Sequence, residues 1–148
     1  MGWVNWQAFC ANLHECHIFE SDPTWAIRAQ RDAHEGRTPD GHKREILPDE
    51  DAVYVLGAAQ WILNHGQSLF KQVLYSRDVS SEDLRLWSPG PLYDGKANLT
   101  LHRWHFWRDG YAATACEDHE VKGIALECRI VAAKAVRLMD CLEQCMTF

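Results

Sequence analysis

Apolar residues recur along this chain with the period of a helix rather than of a strand. Trp6, Phe9, Cys10, Leu13 and His17 fall on one face of a first helix that Trp3 opens, and this face is the expected core side. Ser21-Asp22-Pro23 restarts the chain. Asp22 suits an N-cap and Pro23 the first helical position, so a second helix runs from Pro23 to about Glu35 and ends at Gly36. Residues 37–49 are polar and rich in turn formers, and predict an exposed loop. A third helix spans about 50–75. From Ala52 to Leu63 it is apolar on nearly every side, which belongs in the middle of a bundle, and Gln60, Asn64 and Lys71 leave only a narrow polar stripe.

Residues 76–96 predict an irregular connection, with a short helical turn starting near Ser80-Ser81-Glu82-Asp83. Asn98 is the expected cap of a fourth helix reaching about Cys116. A fifth runs from about Glu120 to Cys145, with Ile124, Cys128, Ala132, Ala135, Met139 and Leu142 on its apolar face. These elements predict an all-α fold: one domain over 1–148, a bundle of about five helices with a central apolar helix and a long amphipathic C-terminal one.

The densest chemistry lies on the fourth helix. Leu101 to Tyr111 holds four aromatics, two histidines and two arginines. Helical spacing divides them: Trp104, Trp107 and Tyr111 share one side, while Leu99, His102, Phe106 and Ala113 lie nearly opposite. Arg103, His105 and Arg108 fall between or beside these faces. The segment is read either as a helix packed on both sides or as one wall of a ligand pocket.

Composition narrows the class. The chain has 148 residues, 47% hydrophobic and 24% charged, which is ordinary for a single globular domain. A formal charge of −6 lacks the basic excess of a nucleic-acid binder, so no nucleic-acid partner is expected. No apolar run is long enough to span a bilayer, and the N-terminus lacks the pattern of a secretion signal. The six cysteines form no Cys-x-x-Cys pair, which favours free thiols and a cytoplasmic location.

The chain carries the blocks Trp3-x-Asn5-x-x-Ala8-Phe9-x-Ala11-x-Leu13, Arg31-Asp32-Ala33-x-Glu35, Ala58-Ala59-Gln60-Trp61-Ile62, Gly90-Pro91-Leu92-Tyr93-x-Gly95, Arg103-Trp104-x-Phe106-Trp107 and Ala132-Ala133-x-Ala135-x-x-x-Met139. Together they resemble an uncharacterised fungal family known only as a domain of unknown function. Helix two departs from the family pattern, with Arg28, Gln30 and His34 at positions expected to be more apolar. The resemblance implies a fungal, all-helical, intracellular protein and assigns no chemistry.

The residues themselves nominate candidates. Arg31 and Glu35, four apart, are placed to pair on one face, and Asp32 beside them is either a member of a structural ion network or a buried base. Gln60 and Asn64, with His65 adjacent, either bond across the bundle or point into a cavity. Cys10, His14 and His17 share helical spacing, but no fourth ligand is indicated and no metal is expected. Nucleotide-binding loops, a Gly-x-Ser-x-Gly elbow and His-Glu-x-x-His are missing from the sequence, so no cofactor is expected.

Two readings of function follow. The first is a cofactor-independent cyclase or isomerase of fungal specialised metabolism, acting on an apolar small molecule. Its catalytic candidates are His102, His65, Asp32 and Arg103, and its substrate-binding candidates are Gln60, Asn64, Trp61, Trp104, Trp107, Tyr111 and Arg31. The second is a non-catalytic small-molecule-binding or protein-interaction module, with a homodimer through the C-terminal helix as one form. An enclosed apolar cavity favours the first, and a solid core with an exposed apolar patch favours the second.

Overall fold

A computed structural model describes residues 2–19, 22–36, 48–116 and 120–147. The elements in order are α1 (Gly2–Glu15), α2 (Thr24–Gln30) running into a π-helical turn (Arg31–Glu35), α3 (Pro48–Leu74), α4 (Ser81–Leu86), α5 (Leu101–Ala115) and α6 (Ile124–Met146). No strand occurs among the described residues. The chain is an all-α bundle, and most of the predicted loop 37–49 falls outside the described residues.

α3 is the axis. It packs against α1, α2, the π turn, α5 and α6, while α5 also packs along α6. Leu56, Ala58, Ala59, Trp61, Ile62, Leu69 and Phe70 on α3 are all buried, as a helix apolar on nearly every side requires.

α1 has the expected extent but presents a different face. Val4, Gln7, Cys10, Ala11 and His14 are buried, whereas Trp3, Trp6 and Phe9 stand about half exposed. The cause lies on α3. The buried Trp61 indole N–H needs an acceptor, and Gln7 Oε1 supplies it at 2.7 Å. That bond turns the Gln7 stripe inward and the neighbouring aromatic stripe outward. Beyond α1, His17 adopts a left-handed conformation (φ 55°), and the Ile18 amide closes onto the Leu13 carbonyl. Asp22 then caps the restart, with Oδ1 accepting from the Thr24 amide at 2.9 Å and its hydroxyl at 2.6 Å.

Gln30, one of the departures from the family pattern, is fully buried and ties three helices together. It donates to the Ala58 carbonyl at 2.9 Å and accepts from the Tyr111 hydroxyl at 2.8 Å. Ser80 and Asp83 form a reciprocal capping box at the start of α4. Thr100, not Asn98, caps α5, its hydroxyl accepting from the Arg103 amide. α6 begins at Ile124 rather than near Glu120, after Gly123 with its positive φ of 61°.

Candidate functional site

Arg103 and Glu35 meet in the core with no exposed side-chain surface. Arg103 donates Nε to Glu35 Oε1 at 2.6 Å and NH2 to Oε2 at 2.9 Å. The Trp107 indole adds a bond to Oε1 at 2.7 Å, and the Gly90 amide one to Oε2 at 2.9 Å. Arg103 NH1 reaches the carbonyls of Trp87 at 2.8 Å and Asn98 at 3.4 Å. Its guanidinium lies over the rings of Tyr93 and Trp107. A carboxylate accepting this many bonds and a guanidinium this fully engaged keep nothing free for a substrate. The arrangement is a staple joining the π turn, the 87–98 connection and α5.

The expected Arg31–Glu35 pair is therefore corrected: Glu35 is engaged by Arg103, Trp107 and Gly90. Arg31 instead donates to the carbonyls of Leu86 and Ser88 and lies 3.7 Å from Asp32. Asp32 is partly exposed rather than buried. Arg103, expected beside the aromatic faces of its helix, is fully buried with Trp104 and Trp107.

Trp61, Trp104, Trp107 and Tyr111 have no solvent-accessible surface. They therefore border neither bulk water nor an internal void large enough to hold it. The polar candidates are held locally. Gln60 donates to the Leu56 carbonyl at 3.3 Å, and Asn64 to the Gln60 carbonyl at 2.9 Å. His102 is exposed and bonded to the Tyr93 hydroxyl at 2.9 Å. His105 and Arg108 clamp α5 to α6 through Glu143 and Asp140.

His65 and Asn64 come together at a small cleft of about 250 Å³. There Glu15 Oε2 accepts from His65 Nδ1 at 2.7 Å and from the Ser68 hydroxyl at 2.9 Å. Burial pushes the His65 imidazole below its ordinary value, against the opposing pull of Glu15. Burial also pulls the Glu15 carboxyl up, but the bonds from Ser68 and His65 outweigh it and leave it below its usual range. The Glu15 carboxylate is thus held by the His65 N–H. The Ser68 hydroxyl points its proton at Glu15, not at His65, so it is not activated as a nucleophile.

An aromatic-walled open feature lies elsewhere, between α1 and α2. Two adjoining clefts, of about 320 Å³ and 350 Å³, share Trp6 and Trp25 as a common wall. Phe19, Leu13, Cys10, His14 and Asp22 complete the first, and Trp3, Gln7, Arg28, Ala29 and Asp32 the second. The volumes suit small ligands, and aromatic walls with a few polar groups suit their chemistry. Helical period places Trp6 on the core side, whereas it stands half exposed in this surface. A signal was present: Trp3, Trp6 and Phe9 form one stripe and Val4, Gln7, Ala11 and His14 another, and one short helix cannot bury both on a single partner.

These features define a small all-α bundle with a buried ion-pair staple and an aromatic-walled surface cleft. The chain belongs to the family described as a protein of unknown function (DUF3632), whose model matches residues 2–111, from α1 into α5. That span includes both the staple and the cleft. Comparison with curated proteins and with solved structures gave no match. Among the described residues, no helix is long and apolar enough to cross a membrane, and no group of three metal-ligating side chains gathers.

Proposed function

We propose that this protein is a non-catalytic binding module that takes a small molecule in the aromatic cleft between α1 and α2. One observation carries the reading. Trp6 and Trp25 keep 48% and 49% of their surface exposed while lining two adjoining clefts, although the nominated aromatic walls on α3 and α5 are solid core. Leaving large indoles half in water forgoes hydrophobic stabilisation that a bound apolar group recovers. The proposal includes a fungal source, from the sequence resemblance, and a cytoplasmic location, supported by six free thiols. It also includes self-association through α6, where Leu126 and Ile130 stand exposed one turn apart.

The test is ligand-observed NMR with a panel of small aromatic and aliphatic molecules. The wild type should give binders that the Trp6→Ala/Trp25→Ala variant loses while keeping its helical circular dichroism. Retention of binding by the folded variant, or no binder for the wild type, removes the reading.

A second reading, a cofactor-independent isomerase or cyclase, is favoured by the His65–Glu15–Ser68 group beside Asn64. Substrate turnover that His65→Gln abolishes without unfolding the chain would support it over the first.

A further inference from the structure

We propose that the first of these clefts is a site for a small organic cation, a quaternary or methylated ammonium group seated among Trp6, Phe19 and Trp25 and faced by Asp22. This deepens the reading of the cleft as a ligand site and rests on it. Aromatic faces carry negative electrostatic potential, and a cation close to several of them is attracted more strongly than a neutral group of equal shape. Here the rings come from three separate segments: α1, the α1–α2 connection and α2. Each is about half exposed, whereas Trp61, Trp87, Trp104 and Trp107 are buried.

The charge around the cleft has the matching sign. Asp22 Oδ1 is occupied by the two Thr24 donors, and Oδ2 accepts nothing among the described residues. Among the described residues, no lysine or arginine lines this cleft. Its histidine, His14, donates Nδ1 to the Cys10 carbonyl at 2.9 Å. Arg28 lies in the adjoining cleft, beyond the shared indoles. The chain's formal charge of −6 adds a general attraction for cations. A neutral apolar ligand would use the rings and leave Asp22 unanswered. The walls come from two helices and the connection between them, and among the described residues there is no strand whose edge could pair with an extended peptide. A free small cation is therefore the occupant, rather than a methylated lysine carried on a protein.

The experiment is calorimetric titration of the full chain with choline and with 3,3-dimethyl-1-butanol, the same shape with carbon in place of the charged nitrogen. Choline should bind at least ~10-fold more tightly. Asp22→Asn retains a residue able to cap Thr24 but removes the charge. It should weaken choline roughly threefold to tenfold, leave the neutral analogue unchanged and leave thermal melting in place. Trp6→Ala and Trp25→Ala should weaken both probes. Equal affinity for the two probes overturns the cation assignment while the cleft remains a ligand site. Absence of binding by either probe also overturns it, and the wider panel then decides the cleft reading separately. Tighter binding of a trimethyl-lysine peptide than of choline overturns the assignment to a free cation.

Discussion

Glu35 and Arg103 stand 68 residues apart in the chain and share two hydrogen bonds in the dry interior, at 2.6 Å and 2.9 Å. A buried pair of this kind adds little over a well-packed apolar pair, but losing one member strands the other charge away from water. Arg103→Met and Glu35→Gln should each cost about 3–5 kcal/mol of unfolding free energy. The double variant should cost clearly less than the two losses added together. Urea unfolding of the four chains checks this, and strict additivity would show that the two side chains do not depend on each other.

Gly90 approaches the same staple through its backbone. A Cβ there would lie 2.4 Å from the carbonyl oxygens of both Glu35 and Gly36. Neither is a flexible side-chain end, so the 90–93 turn must move and take the Gly90 amide away from Glu35. Gly90→Ala should destabilise the fold by at least about 2 kcal/mol, read as a lower denaturant midpoint. An unchanged midpoint would show that the turn is free to shift.

Acid should weaken the fold well before its carboxylates protonate. The His34 ring packs edge-on to Tyr111 at 4.2 Å, and burial pushes its pKa down from 6.5 to about 3. The unfolded chain takes up that proton below its own pKa and the folded chain refuses it. The contribution is therefore complete above pH 6.5 and is lost as pH falls toward 3. His65 is shifted in the same direction, and the depressed Glu15 carboxyl adds a loss at lower pH. At pH 5 the His34 share is at most about 2 kcal/mol, a ceiling because the residue as a whole is only partly buried. The denaturant midpoint should drop between pH 7 and pH 5, and His34→Gln should flatten that drop. A drop of the same size in the variant would move the effect to other groups.

Two tryptophans separate core from surface. Trp104 is fully buried against Phe70, and Trp104→Ala should cost about 3–5 kcal/mol. Trp6→Ala, at a half-exposed position, should change stability by no more than about 1 kcal/mol, yet reduce binding in the α1–α2 cleft. Thermal melts with parallel ligand titrations distinguish the two. A large stability loss in Trp6→Ala would make that indole part of the core.

Much of the helical layout was legible because it rests on local chemistry. The extent of α3, the short helix starting near Ser80-Ser81-Glu82-Asp83 and the stop at Gly36 follow from residues next to one another in the chain. The Asp22-Pro23 restart was legible for the same reason, and so was the division of α5 into two aromatic sides. Within the candidate site, the sequence brought Asn64 and His65 together but left Trp104, Trp107 and Tyr111 open between a core, the favoured place for aromatics at helical spacing, and a pocket wall. The packing around Glu35 and Gln30 made them core.

The face of α1 shows where the boundary falls. Helical period by itself determined that this segment is a helix and that it carries apolar stripes. It did not rank the stripe through Trp3, Trp6 and Phe9 below the one through Val4, Gln7 and Ala11. That choice goes with Trp61, 54 residues from Gln7, whose buried N–H is accepted by Gln7 Oε1. The sequence alone thus determined the helices, because their signals are local. Only the tertiary structure decided which aromatics are core and which line a cleft, because packing and partners such as Gln7 for Trp61 come from parts of the chain far apart in sequence.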